Sequence, residues 1–436
     1  LPGNRTEPIT LYALAESGDS RWLSTYDATP VPSVIERTVD LKKGEGIRPD
    51  AARLVRTRPG WKGNPNASME GVPGFALNWL EVEGPLHETW PPQSYQNLFG
   101  NLPFEVDVEN RVTVHSEKES QDAKRLLGEF LKRAYHRPAD IATEISPYLM
   151  IYDKARELGQ GFTDAMVSTF ASILCAPDFL YFETKAGRLA DHELANRLSY
   201  FLWNGPPDEE LRNVNHLHRK DMLEREVDRM LSDETSNRFL YSFLDYWLDL
   251  KELNANTPDA ELYPDYYLDD MLTESSLRET RMFFRELIDR DLPVRNLIDS
   301  DFSFINERLA NHYNLPSLEG VEPRLTHLPE DSVRGGLLTQ ASVLRVTANG
   351  TTTSPVLRGA WIMERIMGVE IPPPPSGVEA IEPDTRGATT IREQLSKHRE
   401  VESCNACHQK FDPVGFALES FDVAGGWQDR YRAVGG

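Results

Sequence analysis

Cysteine is scarce, with three residues in a chain of 436. A disulfide framework is therefore excluded, and the fold must rest on buried apolar cores, which a chain of this length can build. Long apolar runs are also missing. No stretch approaches 18 apolar residues, so no membrane-spanning helix is expected, and no charged-then-apolar signal segment opens the chain. Positive charge is in deficit: 47 Lys and Arg stand against 69 Asp and Glu, a net charge of −22. That argues against a protein that tracks nucleic-acid phosphates and favours basic or neutral partners. The first residue is Leu1 rather than Met, as expected of a mature, processed or excised piece.

What is present changes character along the chain. Residues 1–103 carry short β-rich runs, Ile9 to Leu14, Val34 to Leu41, Ala52 to Val55 and Phe75 to Val82, between clusters of Gly, Pro, Asn and Asp. Such spacing predicts an N-terminal β-sandwich. Trp22, Trp61, Trp79 and Trp90 are read as packing residues, with a sugar-stacking platform as the alternative. From Ser120, a plausible N-cap, the periodicity turns helical: Ala123, Leu126, Leu127, Phe130, Leu131 and Ala134 recur at three and four residues until Pro138. A short helical module over 120–190 follows, then a second over 191–330, capped at Asp191 and carrying Leu194, Leu198, Phe201 and Leu202 on one face. Residues 331–436 form the last module, with helix-like runs at Leu337 to Leu344, Val356 to Met367 and 390–399, and a polyproline spacer from Pro372 to Pro375. Cys175, in an apolar helical setting, reads as a buried, inert thiol.

The other two cysteines carry chemistry. Cys404, Asn405, Ala406, Cys407 and His408 make a C-x-x-C-H string. On a helix, positions i and i+3 share a face, so both thiols can form thioethers to one porphyrin, and the adjacent His408 can supply the proximal iron ligand. Asp412-Pro413 makes a turn whose Pro413 carbonyl is a candidate acceptor for the His408 Nδ1–H. Gly415 would let backbone approach the porphyrin, and Phe411, Phe416, Phe421 and Trp427 offer apolar walls. The sixth iron position has three candidates, His398, Met363 and Met367. Arg345, Arg358 and Arg399 are candidates for pairing with haem propionates. Two rival uses of the cysteines stay open: a zinc site with His398 or His408, for which no second C-x-x-C exists, and a redox dithiol, for which no βαβ context exists.

With these residues in view, the chain resembles the large secreted cytochrome-c-domain proteins typical of planctomycetes, built from serial domains of unknown function. The resemblance rests on Glu193 to Trp203 followed by Pro206-Pro207-Asp208-Glu209-Glu210-Leu211, and on Ala134-Tyr135-His136-Arg137-Pro138. It also rests on Arg334-Gly335-Gly336-Leu337-Leu338, Thr353-Ser354-Pro355-Val356, Arg358-Gly359, His398-Arg399, and the run from Cys404 through Asp412-Pro413-Val414-Gly415-Phe416 to Glu419. It spans residues 120 to 432. The resemblance implies haem c and export to the periplasm or beyond, and it implies that further domains flank this piece. Phe411 stands where family members often have Met or Ile, which removes one thioether near iron. The family supplies no activity.

The combined expectation is a mixed multidomain protein: a β-sandwich, a mainly α-helical middle and a C-terminal α-helical c-type haem module. The iron would pass single electrons to an unidentified redox partner protein. Two alternatives belong to other classes: a haem-dependent oxidoreductase acting on a carbohydrate or other small molecule, and a binding or scaffold protein with a structural haem.

Overall fold

The computed structural model describes residues 6–50, 74–109, 111–182, 186–266, 269–371, 392 and 402–432. The chain forms two compact units, Trp79–Phe239 and a discontinuous one made of Leu1–Asn78 with Leu240–Gly436. Helix dominates, and the described residues hold three small sheets.

In the Trp79–Phe239 unit, the spacing that predicts a helix after Ser120 produces Glu119–Ala134. Its apolar stripe, Leu126, Leu127 and Leu131, is buried against Met166, Phe170 and Ile173 of Phe162–Leu174, with Tyr152 and Ala155 of Ser146–Glu157 closing the same core. A second core joins Ala195, Leu202 and Trp203 of Asp191–Trp203 to Leu211, Leu217 and Met230, and the Trp203 indole donates to the Met230 carbonyl at 2.9 Å. Asp191 lies inside its helix rather than capping it. Its carboxylate accepts from the backbone N–H groups of His216 and Leu217, while Glu193 takes the N–H of Ala190. Cys175 is exposed, not buried: it follows the last helical residue, Leu174, and the buried face of that helix ends at Ile173.

The discontinuous unit opens with one antiparallel sheet, order β2-β1-β3, made of β1 (Glu7–Leu14), β2 (Ser20–Ala28) and β3 (Gly46–Asp50). The expected β-sandwich requires two facing sheets, and the described residues of this region contain only this one. Residues 33–42 and 74–82 have no regular structure, and the large side chains Leu77, Trp79, Leu80 and Val82 are exposed. The run Ala52 to Val55 and Trp61 lie outside the described residues. The sheet is tied to the C-terminal part of its unit: the Tyr12 hydroxyl donates to Asp270 at 2.7 Å, and Asp27 accepts from the Val321 N–H at 3.1 Å. There the long helix Asp270–Asp289 packs on Phe302–Ile305, a strand buried at every residue and paired antiparallel with Arg324–His327. The run from Leu337 becomes a 3-10 turn, Leu337–Thr339, then the helix Ala341–Val346. The run from Val356 becomes the helix Pro355–Trp361, continued by a π stretch, Ile362–Ile366. Residues 372–375 and 393–399 lie outside the described residues.

Candidate functional site

The C-x-x-C-H string lies on the helix Glu402–Phe416. Cys404 and Cys407 occupy positions i and i+3 of its backbone; their side chains lie outside the described ones. Pro413 sits inside the helix, where it contributes no N–H to the ladder.

Two glycines set how this helix packs. A Cβ on Gly415 would stand 1.8 Å from the Pro355 carbonyl oxygen, and one on Gly359 would stand 2.2 Å from that of Phe411. Only hydrogen fits between the two backbones, so Pro355–Trp361 and Glu402–Phe416 cross in direct main-chain contact. Gly415 is therefore used for helix packing. Arg358, on the same short helix, is 1% exposed. Its guanidinium donates to the carbonyls of Leu418 at 2.7 Å, Phe421 at 3.1 Å and Leu344 at 3.1 Å, and to the Thr347 hydroxyl at 3.2 Å. Burial lowers its pKa to about 10. Arg358, expected to pair with a haem propionate, here donates to main-chain acceptors and the Thr347 hydroxyl. Arg345 donates to the Thr273 hydroxyl at 2.6 Å.

A second arginine fixes the turn that follows. Arg334 lies 3.6 Å over the Tyr313 ring and donates to the carbonyls of Thr339 at 2.7 Å and Gly425 at 2.5 Å. Asp422 accepts from the N–H groups of Ala424 and Gly426 and from the Tyr266 hydroxyl at 2.8 Å, and burial raises its pKa. His312 donates to the Ala424 carbonyl at 2.8 Å, and burial lowers its pKa to about 3. The C-terminal end of the module is thus held by buried polar contacts on residues 421–426.

His408 is only 16% exposed at its side chain, and its Nδ1 lies 3.0 Å from Asp412 Oδ1, whose side chain is fully buried. The carbonyl of Pro413, the acceptor expected from sequence, instead takes the N–H of Ala417 at 3.2 Å. The reason is helical: His408 and Asp412 are i and i+4 on one face, while a carbonyl inside a continuing helix points along the axis to its own ladder partner. Asp412 is the residue that sequence reasoning assigned only to a turn; its H-x-x-x-D spacing was the available signal. Phe411 is buried with its ring centroid 4.9 Å from that of His408. Phe416 is half-buried under the guanidinium of Arg392, which pairs with Glu419. Phe421 is buried and meets the half-exposed Trp427 edge to face. Among the sixth-ligand candidates, Met363 belongs to the π stretch that packs on the motif helix, Met367 follows it and is 64% exposed, and His398 lies outside the described residues.

Of the three donors that a c-type haem would use, His408 is the one whose side chain lies among the described ones. His408 meets Asp412 through Nδ1, so Nε2 is the ring nitrogen that would serve as an axial ligand. Among the described residues no group of three or more His, Cys, Asp or Glu is arranged to hold a metal ion.

Three stretches match family models: residues 122–183 match PSD5, protein of unknown function (DUF1595), residues 189–315 match PSD4, protein of unknown function (DUF1592), and residues 334–431 match PSCyt3, protein of unknown function (DUF1588). No curated protein and no solved structure gives a significant match. With these domains in series and the motifs that carry them, the chain belongs to the planctomycete-type proteins assembled from serial domains of unknown function with cytochrome-c-like modules.

Proposed function

We propose that the chain is an exported c-type cytochrome that holds one covalently attached haem in residues 331–436 and transfers electrons. The observation that carries this reading is the C-x-x-C-H string on one helix with the His408 Nδ1 engaged by a carboxylate. Cys404 and Cys407 would hold the porphyrin through thioethers, His408 would ligate the iron, and Phe416 and Pro413 would flank it. Bound there, the haem supplies a one-electron ferric/ferrous couple. The cytochrome-like name of the domain matched over residues 334–431 supports the same reading. Covalent haem attachment takes place outside the cytoplasm, which accords with export, and no helix among the described residues is long and apolar enough to cross a membrane. A net charge of −22 favours a redox partner protein with a basic docking face.

The test is a pyridine haemochrome spectrum with intact mass on the full chain produced in a host that matures c-type cytochromes. A mass increase of one haem, with the haemochrome of a thioether-linked group, is expected. Colourless protein of bare-chain mass, above all with stoichiometric zinc, overturns the proposal.

A further inference from the structure

We propose that Asp412 is a positioning residue that strengthens His408 as an electron donor to iron and thereby holds the reduction potential of the haem low. The inference rests on the haem assignment above and goes beyond it by naming the group that tunes the couple. His408 and Asp412 are one helical turn apart, their hydrogen bond is 3.0 Å long, and the Asp412 side chain is fully buried, so the contact is shielded from competing water. The partner of Nδ1 is therefore an Asp412 side-chain oxygen rather than the Pro413 carbonyl, which takes the Ala417 N–H. A hydrogen bond to an ionised acceptor is roughly twice as strong as a neutral one. It draws the Nδ1 proton away from the ring, places more electron density on Nε2, and makes the imidazole a better partner for ferric than for ferrous iron. Neighbouring aromatic packing keeps the geometry: the Phe411 ring lies against that of His408 and is itself buried.

A purely structural role, in which Asp412 only staples one helical turn, leaves the potential where it is. The experiment therefore reads the midpoint potential by spectroelectrochemistry on the haem-loaded full chain, for wild type, Asp412→Asn and Asp412→Glu. Asp412→Asn keeps an acceptor oxygen but removes the charge, and is expected to shift the ferric/ferrous ratio about tenfold toward ferrous, which is about 59 mV for one electron. Asp412→Glu, which restores the carboxylate, is expected to recover most of that shift. A second measurement leaves Asp412 untouched. In His408→Gly, the vacated ligand position is filled with imidazole, which can donate to Asp412, or with 1-methylimidazole, which cannot. The imidazole adduct is expected at the lower potential by a similar factor. Equal potentials for the two adducts, or an Asp412→Asn potential equal to wild type, overturn the role of Asp412 while leaving the haem assignment standing. A wild-type chain that takes up no covalent haem overturns both.

Discussion

Glu279 shows what one buried charge can do to the molecule. It is fully enclosed, accepting from the Ser303 hydroxyl at 2.7 Å and the Tyr313 hydroxyl at 2.5 Å, with the Arg334 guanidinium over the Tyr313 ring. Burial pushes its pKa up to about 7, from an ordinary value of 4.5. The folded state then binds a proton that the unfolded chain has released, so its contribution to stability is full below pH 4.5 and is lost as pH rises through 7. His312 works in the opposite window. Burial lowers its pKa to about 3 from 6.5, so its contribution is full above pH 6.5 and is lost as pH falls toward 3. Between about pH 4.5 and 6.5 the two slopes oppose each other. In Glu279→Gln one of them is gone. The difference in unfolding free energy between wild type and this variant, measured by urea denaturation, is expected to fall by up to about 3 kcal/mol from pH 4.5 to 7.5. A difference independent of pH would show that Glu279 is ionised throughout.

At the scale of elements, the crossing of Pro355–Trp361 and Glu402–Phe416 places the proposed haem helix. Gly415→Ala puts a methyl group 1.8 Å from the Pro355 carbonyl and 3.0 Å from the Gly359 nitrogen, both backbone atoms that no side-chain rotation can clear. The helices must separate, and a loss of about 1–3 kcal/mol or more in urea denaturation is expected, with a lower fraction of haem-loaded chains. Gly46→Ala, where an added Cβ meets nothing within 4 Å, is the control and should change stability by no more than about 0.5 kcal/mol. Equal effects at both positions would refute the close crossing. The sequence marks Gly415 as a close-approach glycine but does not show that its neighbour is the backbone around Gly359, which is distant along the chain. The helices themselves were legible wherever an apolar stripe repeats at three and four residues, as in Glu119–Ala134. Strands were not. Val34 to Leu41 and Phe75 to Val82 have strand-like composition, but a strand exists only with a hydrogen-bonded neighbour, and composition does not supply one. Cysteine burial at residue 175 was misjudged for a related reason: apolar neighbours in sequence do not decide which way the end of a helix faces. The string from Cys404 to His408 was plain, whereas the choice of Asp412 over Pro413 as the partner of Nδ1 depends on whether the helix continues past residue 412, which the proline obscured.

Across the whole molecule, the unit that carries the proposed haem is not continuous in sequence. Trp79–Phe239 has its own cores, one around Leu127, Leu131 and Met166 and one around Leu211, Leu217 and Met230. It should therefore fold when produced alone. Residues 240–436 are differently placed, because β1 and β2 belong to their unit: Ile9 and Ala13 are buried, Tyr12 binds Asp270, and Asp27 binds Val321 and lies within 3.0 Å of a Cβ built on Gly320. Removing residues 1–78 uncovers that surface. Burial of a single large aliphatic side chain contributes roughly 1.5–3 kcal/mol, so with the two lost hydrogen bonds the deletion should cost several kcal/mol. Circular dichroism and urea denaturation of the two fragments are expected to give a helical, cooperatively unfolding 79–239 and a 240–436 that unfolds at much lower denaturant than the same residues joined to 1–78. A 240–436 fragment as stable as the discontinuous unit would mean that the N-terminal sheet is an appendage. A 79–239 fragment without cooperative unfolding would mean that its two cores do not suffice.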